Sequence, residues 1–144
     1  MTAARGNTLY LHSALFCVVF VRLTMRYLLV LAGCEAEIAS TRAMAIQMAQ
    51  VGGFDLITLD VNLRGANGYE ICRELKGNSR FRETPIVFVS GNCNIEDQQR
   101  GLDAGGVDYI TKPFETFKFA PRLLSHIKTG TNRSLEMRCH EKIC

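Results

Sequence analysis

LITLD, residues 56–60, is a run of apolar and β-branched residues that ends abruptly on an aspartate. Its apolar part is typical of a strand that is buried on both faces, as the strands of parallel sheets are. A carboxylate at the end of a buried strand is costly to remove from water. We therefore expect Asp60 to be either solvated at the edge of a sheet or engaged in chemistry.

Short apolar runs alternate with helical patterns on both sides of this strand. The sequence predicts strands over 14–21, 35–39, 55–60, 85–90 and 107–111, and helices over 22–32, 43–50, 68–76, 95–105 and 116–128. Gly33 provides a stop for the first helix, and Ser40 or Thr41 provides a cap for the second. Five alternating strand and helix pairs predict an α/β fold with a parallel sheet covered on both faces.

The chain has 144 residues, enough for one domain and too few for two ordinary ones. We predict an ordered domain over 10–128, a flexible N-terminus over 1–9 and a polar tail over 129–144. That tail is too short for a helix-turn-helix module, and the net charge of +3 is small. We therefore expect no direct contact with nucleic acid.

The cysteines and the apolar stretches bear on location. Six cysteines without a CxxC pair are typical of a reduced protein, which predicts a cytoplasmic location. The apolar stretches 14–21 and 27–34 are shorter than the ~20 residues that span a membrane, so we predict no membrane partner. The alternative is a lipoprotein processed at Cys34, because LLVLAGC (28–34) resembles a bacterial lipobox.

Three reactive side chains come at the ends of successive predicted strands. Asp60 ends the third strand, Ser90 the fourth and Lys112 the fifth, and ligands of parallel sheets bind at this edge. A carboxylate can be a nucleophile toward phosphorus, while a lysine and a hydroxyl can bind the phosphoryl oxygens. Such a site needs a divalent cation to offset its negative charge.

The order of these residues carries a family resemblance. FDLITLDVNLRGANGYEICRELK (54–76), then TPIVFVSG (84–91) and GLDAGGVDYITKPF (101–114), resembles the receiver domain of bacterial two-component response regulators. The resemblance implies a flavodoxin-like, doubly wound (βα)5 fold with a parallel five-stranded sheet in the order 2-1-3-4-5. It implies phosphorelay signal transduction, with no enzymatic activity beyond the domain's own aspartyl phosphorylation and dephosphorylation.

The resemblance also implies a role for each matching residue. Asp60 would be the phosphoacceptor, Ser90 the switch hydroxyl, and Lys112 the ion-pair partner of the carboxylate and the phosphoryl group. Pro113 would follow a cis peptide bond with Lys112. Tyr109 would be the switch aromatic on the fifth strand.

Further expectations from the resemblance concern the loop after Asp60 and the partners. Asn67 and Gly68 would shape the loop into the third helix. The implied partners are a histidine kinase or phosphotransfer protein and a downstream effector protein. A homodimer would form through the fourth helix, the fifth strand and the fifth helix.

The first strand departs from the family pattern. Receivers carry two adjacent acidic residues at the end of this strand, which bind Mg²⁺ with the phosphoacceptor. Counting back from the first predicted helix places these positions near Phe16 and Cys17, and the first acidic residue of the chain is Glu35. The remaining magnesium ligands would be Asp60 and the backbone carbonyl of Asn62. We therefore predict weak Mg²⁺ binding and impaired phosphorylation.

Three alternatives follow from this departure. Glu96, Asp97 or Glu115 could act as a displaced metal ligand. The chain could be a degenerate pseudo-receiver, a protein-interaction module that works without phosphorylation. The acid-free start would also follow if residues 1–21 were translated from a different reading frame.

Overall fold

The computed structural model describes residues 7–11, 17–51, 53–63 and 66–127. Strands and helices alternate along this part of the chain. The strands are β1 (Asn7–Leu11), β2 (Glu35–Ala39), β3 (Leu56–Leu59), β4 (Asn62–Leu63), β5 (Ala66–Asn67), β6 (Ile86–Ser90) and β7 (Asp108–Thr111). The helices are α1 (Cys17–Leu31), α2 (Arg42–Val51), α3 (Gly68–Gly77), α4 (Ile95–Asp103) and α5 (Thr116–Leu124).

Five strands form one parallel sheet in the order β2-β1-β3-β6-β7, and β4 and β5 form a short antiparallel pair. Counted within the large sheet alone, this order is 2-1-3-4-5, which confirms the predicted α/β topology. Because the strands are parallel, their carboxyl ends lie along one side of the sheet. We call this side the carboxyl edge.

The first strand is not where the sequence prediction placed it. β1 occupies Asn7–Leu11, whereas we predicted a strand over 14–21 and a flexible N-terminus over 1–9. Leu11 lies opposite Leu59 in the register of β1 with β3. The predicted tail over 129–144 lies outside the described residues.

Helix α1 takes up much of the predicted first strand. It begins at Cys17, within the segment ALFCVVFV (14–21), because a uniformly apolar run has no periodicity that separates a buried helix from a buried strand. The turns that follow bury Met25 and Leu29, which lie four residues apart and therefore share one face. This apolar face holds α1 on the sheet.

Side-chain caps and glycines define the other helix boundaries. Thr41 Oγ1 accepts a hydrogen bond from the Met44 amide at 3.1 Å, so Thr41 caps α2. Gly33 follows α1 at φ 83° and Gly105 follows α4 at φ 102°, in the left-handed region that glycine enters without strain. The predicted stop at Gly33 is confirmed. In the described part of the chain, no helix is long and apolar enough to cross a membrane.

Each face of the sheet carries its own apolar core. Alternate residues of β6 divide between them: Val87 and Val89 pack with α1 and α5, while Ile86 and Phe88 pack with α3. All four side chains are buried, which explains why this stretch of β6 is apolar without interruption.

A charged cluster joins the start of β7 to α5. Arg122 donates to both carboxylate oxygens of Asp108 at 2.7 Å, and His126 Nε2 lies 3.0 Å from Asp108 Oδ2. Burial alone would raise the pKa of Asp108. Hydrogen bonds from Arg122, His126 and the Tyr109 amide outweigh it and lower this pKa from 3.8 to about 2.

We expect Asp108→Asn to reduce the free energy of unfolding by about 1 kcal/mol at pH 7. Because the folded pKa is below the unfolded one, the stabilisation by Asp108 is complete above pH about 4 and is lost as the pH falls toward 2. Urea unfolding of both proteins across this range measures it. Asp103→Asn, at an exposed site on α4, is the control. A difference that does not change with pH would contradict the prediction.

Candidate functional site

Asp60 and Lys112 form a buried ion pair at the carboxyl edge. Asp60 directly follows β3, and Lys112 directly follows β7. Lys112 Nζ lies 2.6 Å from Asp60 Oδ2, and the side chains are only 18% and 8% exposed, respectively. Asp60 Oδ1 accepts a hydrogen bond from the Asn62 amide at 3.0 Å. Both carboxylate oxygens are therefore engaged.

Ser90 ends β6, between the strands that carry Asp60 and Lys112. Its side chain is fully buried, and its Oγ accepts a hydrogen bond from the Asn92 amide at 3.2 Å. The Lys112 amide donates to the Ser90 carbonyl at 2.8 Å. This backbone hydrogen bond continues the pairing of β6 with β7 as far as Lys112, the cation of the ion pair.

The loop after Asp60 is held by glycine and asparagine. A Cβ at Gly68 would lie 2.2 Å from the Asp60 carbonyl oxygen, so only glycine lets α3 begin this close to the strand end. The Gly68 amide donates to the Val61 carbonyl at 2.9 Å, and Asn67 Oδ1 accepts from the Tyr69 amide at 2.9 Å. On the other side of the site, the Lys112–Pro113 peptide bond is cis.

An aromatic row runs beneath the site from α3 to β7. The rings of Tyr69 and Phe88 are 5.3 Å apart, and those of Phe88 and Tyr109 are 6.1 Å apart, centre to centre. Tyr69 also donates its hydroxyl to the Asp97 carbonyl in α4 at 3.0 Å. Burial raises the pKa of Tyr69, so this hydroxyl keeps its proton.

Sequence reasoning selected Tyr109 but missed what Tyr69 does. The available signal was a tyrosine among apolar positions of an amphipathic helix, because a buried hydroxyl needs a hydrogen-bond partner. That partner is a backbone atom of α4, which no sequence pattern marks.

The carboxylates that the structure describes near the carboxyl edge are not grouped as magnesium ligands would be. Mg²⁺ requires several oxygen ligands in near-octahedral geometry. Within the described residues, no group of three or more acidic, histidine or cysteine side chains is placed to hold a metal. Two of the possible displaced ligands, Asp97 and Glu115, instead lie beside basic side chains. Asp97 Oδ1 is 3.8 Å from the Arg100 guanidinium, and Glu115 Oε2 is 2.8 Å from Lys118 Nζ.

The register of β1 revises where the missing acids belong. Since Leu11 lies opposite Leu59, the residues that follow β1 in the chain correspond to Asp60 and Val61 after β3. These residues are His12 and Ser13, which lie outside the described residues, rather than Phe16 and Cys17. The positions change, but the observation on the sequence does not: no Asp or Glu precedes Glu35. The donor set therefore does not fit Mg²⁺.

Comparison with protein families gives one match over most of the chain. The profile of the family described as response regulator receiver domain matches residues 19–123. This match begins inside α1, so it leaves out β1 and the first 18 of the 34 residues that precede Glu35.

Comparison with individual proteins gives the same result. The chain is 38% identical over 86 residues to the nisin biosynthesis regulatory protein NisR of Lactococcus lactis subsp. lactis, covering 60% of this chain and 36% of that protein. It is 32% identical over 102 residues to the transcriptional regulatory protein YkoG of Bacillus subtilis, covering 71% and 44%. The chain thus spans less than half the length of these relatives.

Solved structures are similar over nearly the whole chain. The chemotaxis protein CheY4 of Vibrio cholerae superposes with a TM-score of 0.76 at 26% identity, covering 87% of this chain and 100% of that one. The receiver domain of the sensor histidine kinase PA1611 of Pseudomonas aeruginosa, solved with a magnesium ion in its active-site cleft, gives 0.75 at 23% identity, covering 86% and 98%. The second likeness shows the fold alone.

Proposed function

This chain belongs to the response regulator receiver family, and from that premise we propose that Asp60 accepts a phosphoryl group from a histidine kinase or phosphotransfer protein, at a low rate. The observation that carries the proposal is the Asp60–Lys112 ion pair at the carboxyl edge. It combines a nucleophile toward phosphorus with a cation that can bind the phosphoryl group.

In the proposed step, a carboxylate oxygen of Asp60 attacks the phosphorus of a phosphohistidine. The phosphorus–nitrogen bond breaks, and its electron pair stays with the imidazole nitrogen, which takes a proton from solvent. Asp60 becomes an acyl phosphate. Lys112 then pairs with a phosphoryl oxygen, and the Ser90 hydroxyl donates to another. Tyr109, which packs against Phe88, would report the change to a downstream effector protein.

The low rate follows from charge. Attack by a carboxylate on a phosphoryl group brings several negative charges together, and phosphoryl transfer depends on their neutralisation. Lys112 provides one positive charge. Asp60 and the Asn62 carbonyl together offer one carboxylate and one neutral oxygen, which would bind Mg²⁺ only weakly. We therefore propose that the site works without a divalent cation.

A second candidate function is supported by the same ion pair. With both carboxylate oxygens engaged and no acidic residue before Glu35, the domain could act as a protein-interaction module without phosphorylation.

For either function, we propose a homodimer that forms through α4, β7 and α5. It is supported by the exposed apolar side chains of Ile95, Leu102 and Val107 at or beside these elements. We also propose a cytoplasmic location, which is supported by the lack of a disulfide bond among the described cysteines Cys34, Cys72 and Cys93.

We expect acetyl phosphate to label the protein slowly, on Asp60 and independently of Mg²⁺. Intact mass spectrometry over time should show a small fraction heavier by about 80 Da, the mass of one phosphoryl group. Because the donor set does not fit Mg²⁺, the labelled fraction should be the same with magnesium and with EDTA.

Asp60→Asn is the control and should remain unlabelled. A receiver with a complete acidic pair, run in parallel, should be labelled quickly with magnesium and poorly with EDTA. Labelling that requires magnesium would contradict the proposed cation-independent site. No labelling at all would contradict the proposed phosphoacceptor role and leave the interaction module.

A further inference from the structure

Helix α4 has few buried contacts with the sheet. Of its nine residues only Gly101 is buried, and a Cβ there would lie 3.0 Å from ring atoms of Phe88 and Tyr109. The other eight residues are exposed or only partly buried, so burial of apolar side chains contributes little to the docking of this helix. An element with so few buried apolar contacts opens locally at small cost. Individual polar contacts therefore have a large share in deciding where α4 lies.

Tyr69 of α3 provides these polar contacts. Its hydroxyl donates to the Asp97 carbonyl at 3.0 Å and lies 3.4 Å from Asp97 Oδ1. The Arg100 guanidinium stands over the Tyr69 ring, 5.9 Å from the ring centre. Within the described residues, Tyr69 is the one residue outside the segment 90–106 that forms a hydrogen bond with α4. One side chain therefore makes both a hydrogen bond and a cation–π contact with this helix.

The backbone of Tyr69 is fixed to the loop after Asp60. Tyr69 is the second residue of α3, and Gly68 before it packs so closely on the Asp60 carbonyl that a Cβ would lie 2.2 Å from its oxygen. The Tyr69 amide donates to Asn67 Oδ1, the cap of α3. The Tyr69 ring is buried, 5.3 Å from the ring of Phe88. Because a close-packed side chain moves with its backbone, a shift of the Asp60 loop also shifts the Tyr69 hydroxyl.

The second tyrosine of the aromatic row does not hold α4 in this way. Tyr109 is buried, and within the described residues no atom is placed to form a hydrogen bond with its hydroxyl. The two tyrosine hydroxyls are nevertheless close, because burial first and then the neighbouring Tyr109 raise the pKa of Tyr69. The Tyr69 hydroxyl therefore keeps its proton for the Asp97 carbonyl. Tyr69 and Tyr109 differ in that only Tyr69 is bonded to α4.

We propose that Tyr69 is a positioning residue that couples the loop after Asp60 to the placement of α4. A hydrogen bond of 3.0 Å is lost when its atoms separate to about 3.6 Å, so a shift of about 0.6 Å at the start of α3 is enough to release Asp97. The proposal deepens the proposed function and rests on it for the signal, because a phosphoryl group on Asp60 is what would displace the loop. The coupling itself is a property of the unphosphorylated protein.

Hydrogen exchange of a peptide that covers α4, measured by mass spectrometry on the unphosphorylated protein, tests this coupling. Tyr69→Phe removes the hydroxyl and keeps the ring, so we expect α4 to exchange about fivefold faster, as the loss of one hydrogen bond predicts. Gly68→Ala pushes the start of α3 away from the Asp60 carbonyl and should also speed the exchange of α4 about fivefold. The two changes together should give no more than either alone, because both act through one hydrogen bond.

Two variants are matched controls. Asp97→Asn keeps the backbone carbonyl that accepts from Tyr69, and Tyr109→Phe removes a hydroxyl that has no partner within the described residues, so α4 should exchange in both as in the parent. Exchange of α5, which packs in the core on the opposite face of the sheet, should be the same in every variant. If circular dichroism shows that Gly68→Ala does not fold, Asn67→Ala disturbs the same end of α3 by removing its cap, with the same expected result.

Three outcomes would overturn the proposal. The first is exchange of α4 that stays at the parent rate in Tyr69→Phe or in the variant at the start of α3. The second is additive effects of these two changes, which would make Tyr69 a structural residue without coupling. The third is an effect of Tyr109→Phe as large as that of Tyr69→Phe. Since none of these proteins is phosphorylated, a failure of acetyl phosphate to label Asp60 would contradict the proposed function and leave the measured coupling as it is.

Discussion

Replacing His12 and Ser13 together with aspartate is expected to create a divalent-cation site and to accelerate labelling of Asp60 by acetyl phosphate. Leu11 lies opposite Leu59, and His12 and Ser13 directly follow Leu11 in the chain, as Asp60 and Val61 follow Leu59. We expect two carboxylates that directly follow β1 in the chain to supply the oxygen ligands and the negative charge that Mg²⁺ requires. Neutralisation by a metal is worth several kcal/mol, so we expect labelling to rise about a hundredfold or more with magnesium present.

Intact mass over time measures the labelling rate, and a thermal shift on adding magnesium measures binding. The matched control is Phe16→Asp with Cys17→Asp, at the positions that counting back from the predicted helix had selected. Cys17 is the first residue of α1, so this pair should show neither effect. A gain in the control but not in the His12, Ser13 variant would show that the β1 register is wrong. No gain in either would refute the view that missing acids limit the rate.

Lys112→Met is expected to be the most destabilising substitution at the carboxyl edge. It leaves the Asp60 carboxylate, with a side chain only 8% exposed, without its cation. Removing one partner of a buried ion pair costs about 3 to 5 kcal/mol, because the remaining charge stays desolvated. Urea unfolding at neutral pH measures the loss.

The double variant Asp60→Asn, Lys112→Met shows whether the buried charge is the cause. Replacing both partners removes the unpaired carboxylate, so most of the lost stability should return. A cost below about 1 kcal/mol for Lys112→Met alone would mean that solvent screens the pair, as at exposed sites. Asp60 would then be less desolvated than its burial indicates.

Much of the fold was predictable because local signals agreed with one topology. The runs LITL and IVFVS are mostly apolar and buried at every position, as is typical of strands covered on both faces, and glycines or capping residues separate them from amphipathic helices. The first strand was not predictable in this way. NTLYL has five residues and weak alternation, while the longer apolar run after it suits a helix as well as a strand.

The candidate site was also predictable only in part. Sequence order alone selected Asp60, Ser90 and Lys112, because each stands at the end of an apolar run and parallel strands bring such ends together. It did not reveal that Lys112 Nζ lies 2.6 Å from Asp60, nor that the Asn62 amide occupies the second carboxylate oxygen. These contacts depend on where a loop and a strand 52 residues away meet.

The sequence by itself determined the composition of the molecule's surfaces and sites. It determined that no carboxylate precedes Glu35, which limits what metal the site can hold wherever β1 lies, and that α1 has arginines and no acids. Only the tertiary structure decided which sides of these elements are covered. The sheet buries Met25 and Leu29 but leaves Tyr27 and Leu31 in water, because a helix packed on one layer can bury only one face.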